Sequence, residues 1–125
     1  MLIVAVSSEG PGLDDNVDPR YGRAGGFVVA TYPDAGGEPS ISYLDNGSAQ
    51  LLPQGAGIAT TENLAAAGVN VVISGFVGPK AFEALSAAGI AVVQDMDGMK
   101  VCEALERYRQ GQCRMALSPN HKSGV

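Results

Sequence analysis

Val69-Asn70-Val71-Val72-Ile73-Ser74-Gly75-Phe76-Val77-Gly78-Pro79 decides the architecture of this chain. Val69–Ser74 reads as a strand, Gly75–Gly78 as a turn, and Pro79 stands at the first position of a helix, where a missing N–H costs nothing. That helix runs through Ala81, Leu85 and Ala88 and stops at Gly89, after which Ile90–Val93 is the next strand. A strand feeding a helix that returns to another strand is a right-handed βαβ crossover, the unit of an α/β fold. Immediately upstream, residues 58–67 read as a helix with Ile58, Thr61 and Ala65 on one face and Gly68 as its stop. Downstream, a helix begins at about Gly98, turns Val101, Leu105 and Tyr108 inward, and ends at Gly111.

The first third of the chain reads differently. Leu2–Val6 is a continuous, β-branched apolar run suited to a strand buried on both faces. Phe27–Thr31 is a second strand, and a Pro33–Gly37 turn leads to Ser40–Leu44, which alternates as a half-exposed strand does. A hairpin at this point means that the sheet is mixed. The expected order is therefore β-β-β-α-β-α-β-α. Residues 1–116 form one domain, and residues 117–125 are polar enough to be expected as a flexible tail, which demotes the only histidine, His121.

The composition narrows the function. A formal net charge of -5 lacks the basic face of a general nucleic-acid binder. No segment is long and apolar enough to span a bilayer, Met1-Leu2-Ile3 enters a strand with no basic leader, and Cys102 and Cys113 make neither a CxxC pair nor a disulfide framework. These features lead to the expectation of a soluble, cytoplasmic protein without a nucleic-acid or membrane partner, either monomer or weak dimer. No catalytic machinery is visible. Leu2–Val6 and Ser7-Ser8 carry no carboxylate for a metal-dependent nuclease, and a single tail histidine supplies no Ser/His/Asp set. Asp14, Asp15 and Asp18 sit in a loop beside two arginines and read as salt-bridge partners or caps.

Against this acidic background, Asp18-Pro19-Arg20-Tyr21-Gly22-Arg23 concentrates two guanidinium groups around a proline and a permissive glycine. Arginine presents a planar fork of donors suited to anions, so the loop can hold one; it can equally be a long loop with surface ion pairs. The turn Gly75–Lys80 aims free N–H groups and the positive end of a helix dipole outward from a strand's carboxyl end, and Gly55-Ala56-Gly57 is a weaker version of the same arrangement. Lys80 adds a cation where the dipole disfavours one, which an anion at the site would explain. The soft ligands all fall late: Met96, Met99, Cys102, Cys113 and Met115. Met99 and Cys102 share a face if their helix starts as drawn, whereas Cys102 and Cys113 are about 16 Å apart along a continuous helix. Met99, Cys102 and Cys113 are candidate Cu(I) ligands, with core filling as the competing and better-supported role.

Several pieces, in their order and spacing, resemble the dinitrogenase iron–molybdenum cofactor biosynthesis family, orange-protein-like members included. They are Leu2–Val6, Val17–Ala24, Gly55–Ile58, Val71–Gly75, Gly78–Phe82 and Ala88–Ile90, spanning residues 2–111. The resemblance implies a ribonuclease H-like three-layer α/β/α fold with a five-stranded mixed sheet. It also implies a non-catalytic protein that binds, carries or assembles an anionic metal–sulfur cluster of the Fe–Mo–S or Mo–Cu–S type, working with cluster donor and acceptor proteins. The site would then combine both helix-start loops with the arginine stretch. Arg20 and Arg23 would supply charge, Gly22, Gly25 and Gly26 loop closure, and the backbone of Gly75, Gly78, Pro79 and Lys80 the turn that meets the ligand. The chain departs from the family at Tyr21, commonly Phe, and at Phe76-Val77, where some members place His or Cys; the second departure removes an obvious covalent ligand. A regulatory or protein-interaction module that binds a nucleotide, a phosphate or only a protein partner is the other reading of the same residues.

Overall fold

Alternation within the strands sorts the core into two layers, one on each side of the sheet. The computed structural model describes residues 1–120; residues 121–125, with His121 and the end of the expected tail, lie outside them. Strands β1 (Leu2–Ser8), β2 (Gly26–Tyr32), β3 (Ser40–Asp45), β4 (Val71–Ile73) and β5 (Ala91–Val93) form one sheet in the order β3-β2-β1-β4-β5. The hairpin pairs β1/β2 and β2/β3 are antiparallel, while β1/β4 and β4/β5 are parallel. Val4, Val6, Val28, Ala30, Val71, Ile73 and Val93 point to one face. Ala5, Phe27, Val29, Val72 and Val92 point to the other.

Helices α2 (Ala56–Ala66) and α3 (Pro79–Ala87) cover the second face through Leu64, Ala81 and Leu85. Helix α4 (Val101–Arg109) covers the first through Val101, Ala104 and Leu105. The result is the three-layer α/β/α sandwich with a mixed five-stranded sheet. Gly68 and Gly89 take φ values of 77° and 75° just past α2 and α3. Each is followed by an N–H that reaches back to the helix, Val69 to Leu64 and Ile90 to Leu85, so both helices end in a Schellman motif that turns directly into the next strand.

Four local expectations change. A one-turn helix, α1 (Gly47–Gln50), stands in the loop before α2. The buried face of α2 is Ala56, Thr60, Thr61 and Leu64, while Ile58 is 45% exposed. The helix begins at Ala56, two residues earlier than the apolar spacing indicates, and Ile58 turns toward the cavity described below instead of the sheet. Strand β3 is more exposed than half because it is the sheet's edge: Ile41 and Tyr43 lie on the α4 face, opposite Ala30 and Val28, yet remain 41% and 40% exposed. Finally, α4 starts at Val101, with Lys100 as its N-cap and Glu103 bonded back to the Lys100 N–H at 2.9 Å. Met99 therefore precedes the helix, so the face expected to be shared by Met99 and Cys102 does not form, and Cys113 lies beyond the helix end at Arg109.

The reassigned face of α2 has a direct test. Leu64→Ala removes a side chain with no exposed surface and is expected to cost about 2–5 kcal/mol. Ile58→Ala is expected to stay within about 0.5 kcal/mol. Urea unfolding of both variants measures the difference, and equal losses would put Ile58 back in the core.

Candidate functional site

The parallel strands β1, β4 and β5 deliver their carboxyl ends to one edge of the sheet. Because the chain leaves β1 toward β2 while β4 lies on β1's other side, the crevice above β1 and β4 is a topological switch point, where open α/β sheets bind ligands. Here the arginine loop meets the turn between β4 and α3. Phe76 donates its N–H to the Pro19 carbonyl at 2.6 Å, and Tyr21 donates to the Phe76 carbonyl at 3.2 Å. Arg20 and Phe76 thus form a short parallel bridge that extends the sheet pairing beyond its strands.

A second contact closes the site from the side of α2. A methyl group on Gly22 would lie 2.8 Å from the Gly57 nitrogen and 2.9 Å from its Cα, and one on Gly57 would lie 2.8 Å from the Ala81 Cβ. Only minimal side chains allow the arginine loop, the start of α2 and the start of α3 to approach this closely. Tyr21 locks the same junction from beneath. The Thr61 hydroxyl donates to the Gly57 carbonyl at 2.8 Å, so the hydroxyl of Tyr21, 2.9 Å away, must be the donor to Thr61 Oγ1. Burial pushes the Tyr21 phenol well above its ordinary pKa, against a smaller lowering by the Thr61 contact, so it keeps that proton. Tyr21 is 2% exposed and packs edge-on against Phe27 at 5.7 Å.

These contacts leave a cavity of about 730 Å³, lined by residues 19–23, 55–58, 76 and 78–81. The N-termini of α2 and α3 both open onto it. Gly55 caps α2 with a φ of 77° and Gly78 caps α3 in extended conformation. Neither helix has a side-chain cap or an acidic residue in its first turn. No side-chain cap therefore occupies the free first-turn N–H groups of either helix, which in α3 start at Lys80 because Pro79 has none. Pro19, Tyr21, Ile58, Phe76, Pro79 and Ala81 supply an apolar wall, and Arg20 and Lys80 stand at its exposed rim.

The residues singled out in the sequence separate into groups. Arg20, Gly22, Arg23, Gly78, Pro79 and Lys80 line the cavity. The Arg20 guanidinium is only loosely tied, Nε lying 3.4 Å from Asp18 Oδ1, an oxygen that also accepts the Arg20 backbone N–H at 2.9 Å. Arg23 is differently engaged: its Nη1 donates to the carbonyls of Gln50, at 2.8 Å, and Leu52, and Nη2 reaches Pro53 at 3.5 Å. It gathers the carbonyls at the end of α1 and orders that loop, so its charge is already partnered. Gly75, Gly25 and Gly26 stand outside the lining. Gly75 is needed where a Cβ would meet Pro19 backbone atoms at 2.7 Å, and Gly26 is a β2 residue beneath the Tyr43 ring. Met99, Cys102 and Cys113 are half-buried and away from the cavity, Met99 and Cys113 against the α4-side core. Among the described residues no group of three or more His, Cys, Asp and Glu side chains is placed to hold a metal ion.

Apolar Ile58 and Phe76 were not among the expected site residues, since neither carries chemistry that sequence reasoning scores. Asn46 and Gln50 carry no such chemistry either. Their amides hold the Ala24 and Arg23 carbonyls, each at 3.0 Å, and a lone Asn or Gln in a loop gives no pattern to find.

The family model described as dinitrogenase iron-molybdenum cofactor matches residues 1–111. The apo form of the orange protein from Desulfovibrio gigas shares 50% identity over 97% of this chain and 98% of its own, with a TM-score of 0.89. A putative NifB protein from Thermotoga shares 28% identity over 98% of this chain and 100% of its own, with a TM-score of 0.79. No match was found among curated proteins.

Two substitutions probe the junction. Gly22→Ala drives a methyl into backbone atoms and is expected to destabilise by about 1–3 kcal/mol, whereas Gly26→Ala meets the tip of the 40% exposed Tyr43, which can swing away at lower cost. Tyr21→Phe should cost about 1 kcal/mol, and a double-mutant cycle with Thr61→Val should show the two losses to be non-additive. Denaturant unfolding reads both experiments; additive losses would remove the Tyr21–Thr61 bond from the account.

Proposed function

The chain belongs to the dinitrogenase iron-molybdenum cofactor family, and from that premise we propose that its cavity receives an anionic metal–sulfur cluster, of the Mo–Cu–S or Fe–Mo–S type, as non-covalently held cargo. The protein is a carrier, not an enzyme. One observation carries the assignment to this cavity: the uncapped N-termini of α2 and α3 converge on a single apolar-walled space whose rim bears Arg20 and Lys80.

The donor set suits such cargo. Sulfide-terminated clusters are large and polarisable, so an apolar wall of Ile58, Phe76 and Pro79 can pack against them, while backbone N–H groups meet the negative charge that would be costly to bury unpaired. Each helix terminus contributes roughly 0.3–1 kcal/mol toward an anion, and up to about 2 kcal/mol in partly buried geometry. The rim cations add roughly 0–1 kcal/mol each, since both are exposed. Arg20, tied only at 3.4 Å, is free to turn from Asp18 to a ligand. Arg23 acts in this reading by shaping the loop, and Gly22 by admitting α2 to the junction.

No helix among the described residues is long and apolar enough to cross a membrane. The finer part of the proposal is a cytoplasmic protein that takes its cluster from one protein and gives it to another. Exposed Ile58, Pro79 and Lys80 at the cavity mouth would be the surface that such donor and acceptor proteins meet.

Anaerobic titration with tetrathiomolybdate, with and without Cu(I), tests the reading through visible absorption and metal content after desalting. Stoichiometric retained metal with shifted charge-transfer bands is expected from the parent protein. The Arg20→Ala, Lys80→Ala double variant should bind about tenfold more weakly, matching the loss of roughly 1.4 kcal/mol. Loss of all metal from the parent on desalting would sink the carrier reading and leave the nucleotide- or partner-binding module.

A further inference from the structure

The segment after α4 does not leave the fold. Ala116 donates its N–H to the Val92 carbonyl at 2.7 Å, and Gln94 Nε2 donates to the Ser118 carbonyl at 3.2 Å, so the chain runs back along edge strand β5. It brings Asn120 to the rear of the β4–α3 turn. There the amide Nδ2 donates to the Gly75 carbonyl at 2.9 Å and to Asp95 Oδ1 at 2.8 Å, while Oδ1 accepts the Val77 N–H at 3.0 Å. Both amide hydrogens and the carbonyl oxygen are used, a pattern that only a primary amide can complete.

The turn needs such a partner. In this extended segment successive residues direct their backbone groups to opposite sides. Phe76 pairs forward, with Pro19 and Tyr21, leaving the Gly75 carbonyl and the Val77 N–H directed to the rear. Val77 has no exposed surface, so its N–H would be buried without water if nothing replaced the amide. The Gly75 carbonyl has one further partner, the N–H of Asp95 at 2.9 Å, and Asp95 itself adopts a φ of 63°, a conformation uncommon outside glycine. The knot of Gly75, Val77, Asp95 and Asn120 thus fixes the turn from behind, while the arginine loop fixes it from the front.

We propose that Asn120 is a positioning residue of the cluster site: by bonding Gly75 and Val77 it holds Phe76 and the start of α3 in the conformation that receives the ligand. The proposal rests on the carrier reading of the cavity. Asn120 touches no cargo and acts through the turn alone.

The test uses the full chain, ¹⁵N-labelled, with Asn120→Ala and the isosteric Asn120→Asp, which loses both donors and sets a carboxylate against Asp95. In ligand-free protein, Val77 amide exchange should accelerate at least tenfold in Asn120→Ala, whereas Asn120→Asp keeps an acceptor for that N–H and loses only the bonds to Gly75 and Asp95; the core amides of Val72 and Ile73 should keep the parent's protection in both, which separates a local effect from general destabilisation. In the anaerobic tetrathiomolybdate–Cu(I) assay both variants should retain metal at least several-fold less tightly than the parent. Val77 exchange at the parent's rate in Asn120→Ala would overturn the proposal, as would faster exchange in that variant with undiminished metal retention. A parent that itself retains no metal would overturn the carrier reading, and with it Asn120's role toward that cargo, even if the exchange result established the hold on the turn.

Discussion

Everything at the functional edge depends on how closely three backbones can approach at Gly22, Gly57 and Ala81. A methyl group at either glycine would lie inside 3.0 Å of its neighbour, so the arginine loop, α2 and α3 share a junction with almost no side-chain volume. That closeness brings two helix N-termini onto one cavity; with ordinary side chains between them they would diverge, and each would face solvent separately. The Arg20–Phe76 bridge and the Tyr21–Thr61–Gly57 chain of hydrogen bonds then hold the junction in register.

The junction resolves an electrostatic difficulty. A chain with a net charge of -5 repels anions at long range, and screening confines that repulsion to roughly 8–10 Å at ordinary salt. Inside the cavity the field is local. Among the described residues no carboxylate lines it, neither helix has an acidic first turn, and the nearby Asp18 is 4% exposed and directed into hydrogen bonds with Arg20. The acidic residues that give the chain its charge stand elsewhere, so the global charge acts at long range while the site keeps its own sign.

Much of this was legible in the sequence, for identifiable reasons. Apolar runs, alternation and glycine stops locate the five strands and three of the four helices of the described residues, because period and chain reversal are local properties. The Pro79 helix start and the Arg20 loop were legible for the same reason, each carrying its chemistry within a few residues. What could not be read was long-range. Arg23 looks identical to Arg20 until Gln50, Leu52 and Pro53 are seen to present carbonyls to it. Tyr21 looks replaceable by Phe until Thr61 lies 2.9 Å from its hydroxyl. Ile58 misled because apolar spacing cannot tell a side chain facing the core from one facing a cavity. Asn120, in a polar stretch without periodicity, offered no local signal at all.

The soft ligands show why a carrier would separate its sulfur from its cargo. Thiolate coordination holds Cu(I) and molybdenum–sulfur units by bonds that must break at each transfer. Here Met96, Met99 and Cys113 pack with the α4 side of the sheet, opposite the α2–α3 face, and burial pushes the Cys113 thiol up, which disfavours the thiolate that coordination requires. The cavity instead offers N–H groups, apolar surface and two rim cations, and Phe76-Val77 brings neither imidazole nor thiol to it. Contacts of this kind are individually weak and separately reversible, so a cluster held by their sum, as proposed, would be released without an activated bond-breaking step on this protein. A preorganised weak site needs a rigid frame, because each contact counts only if it is already aimed. The glycine junction in front of the β4–α3 turn and the hydrogen-bonded knot behind it provide that frame, and together they account for why so small a chain devotes two loops and its C-terminal segment to a single turn.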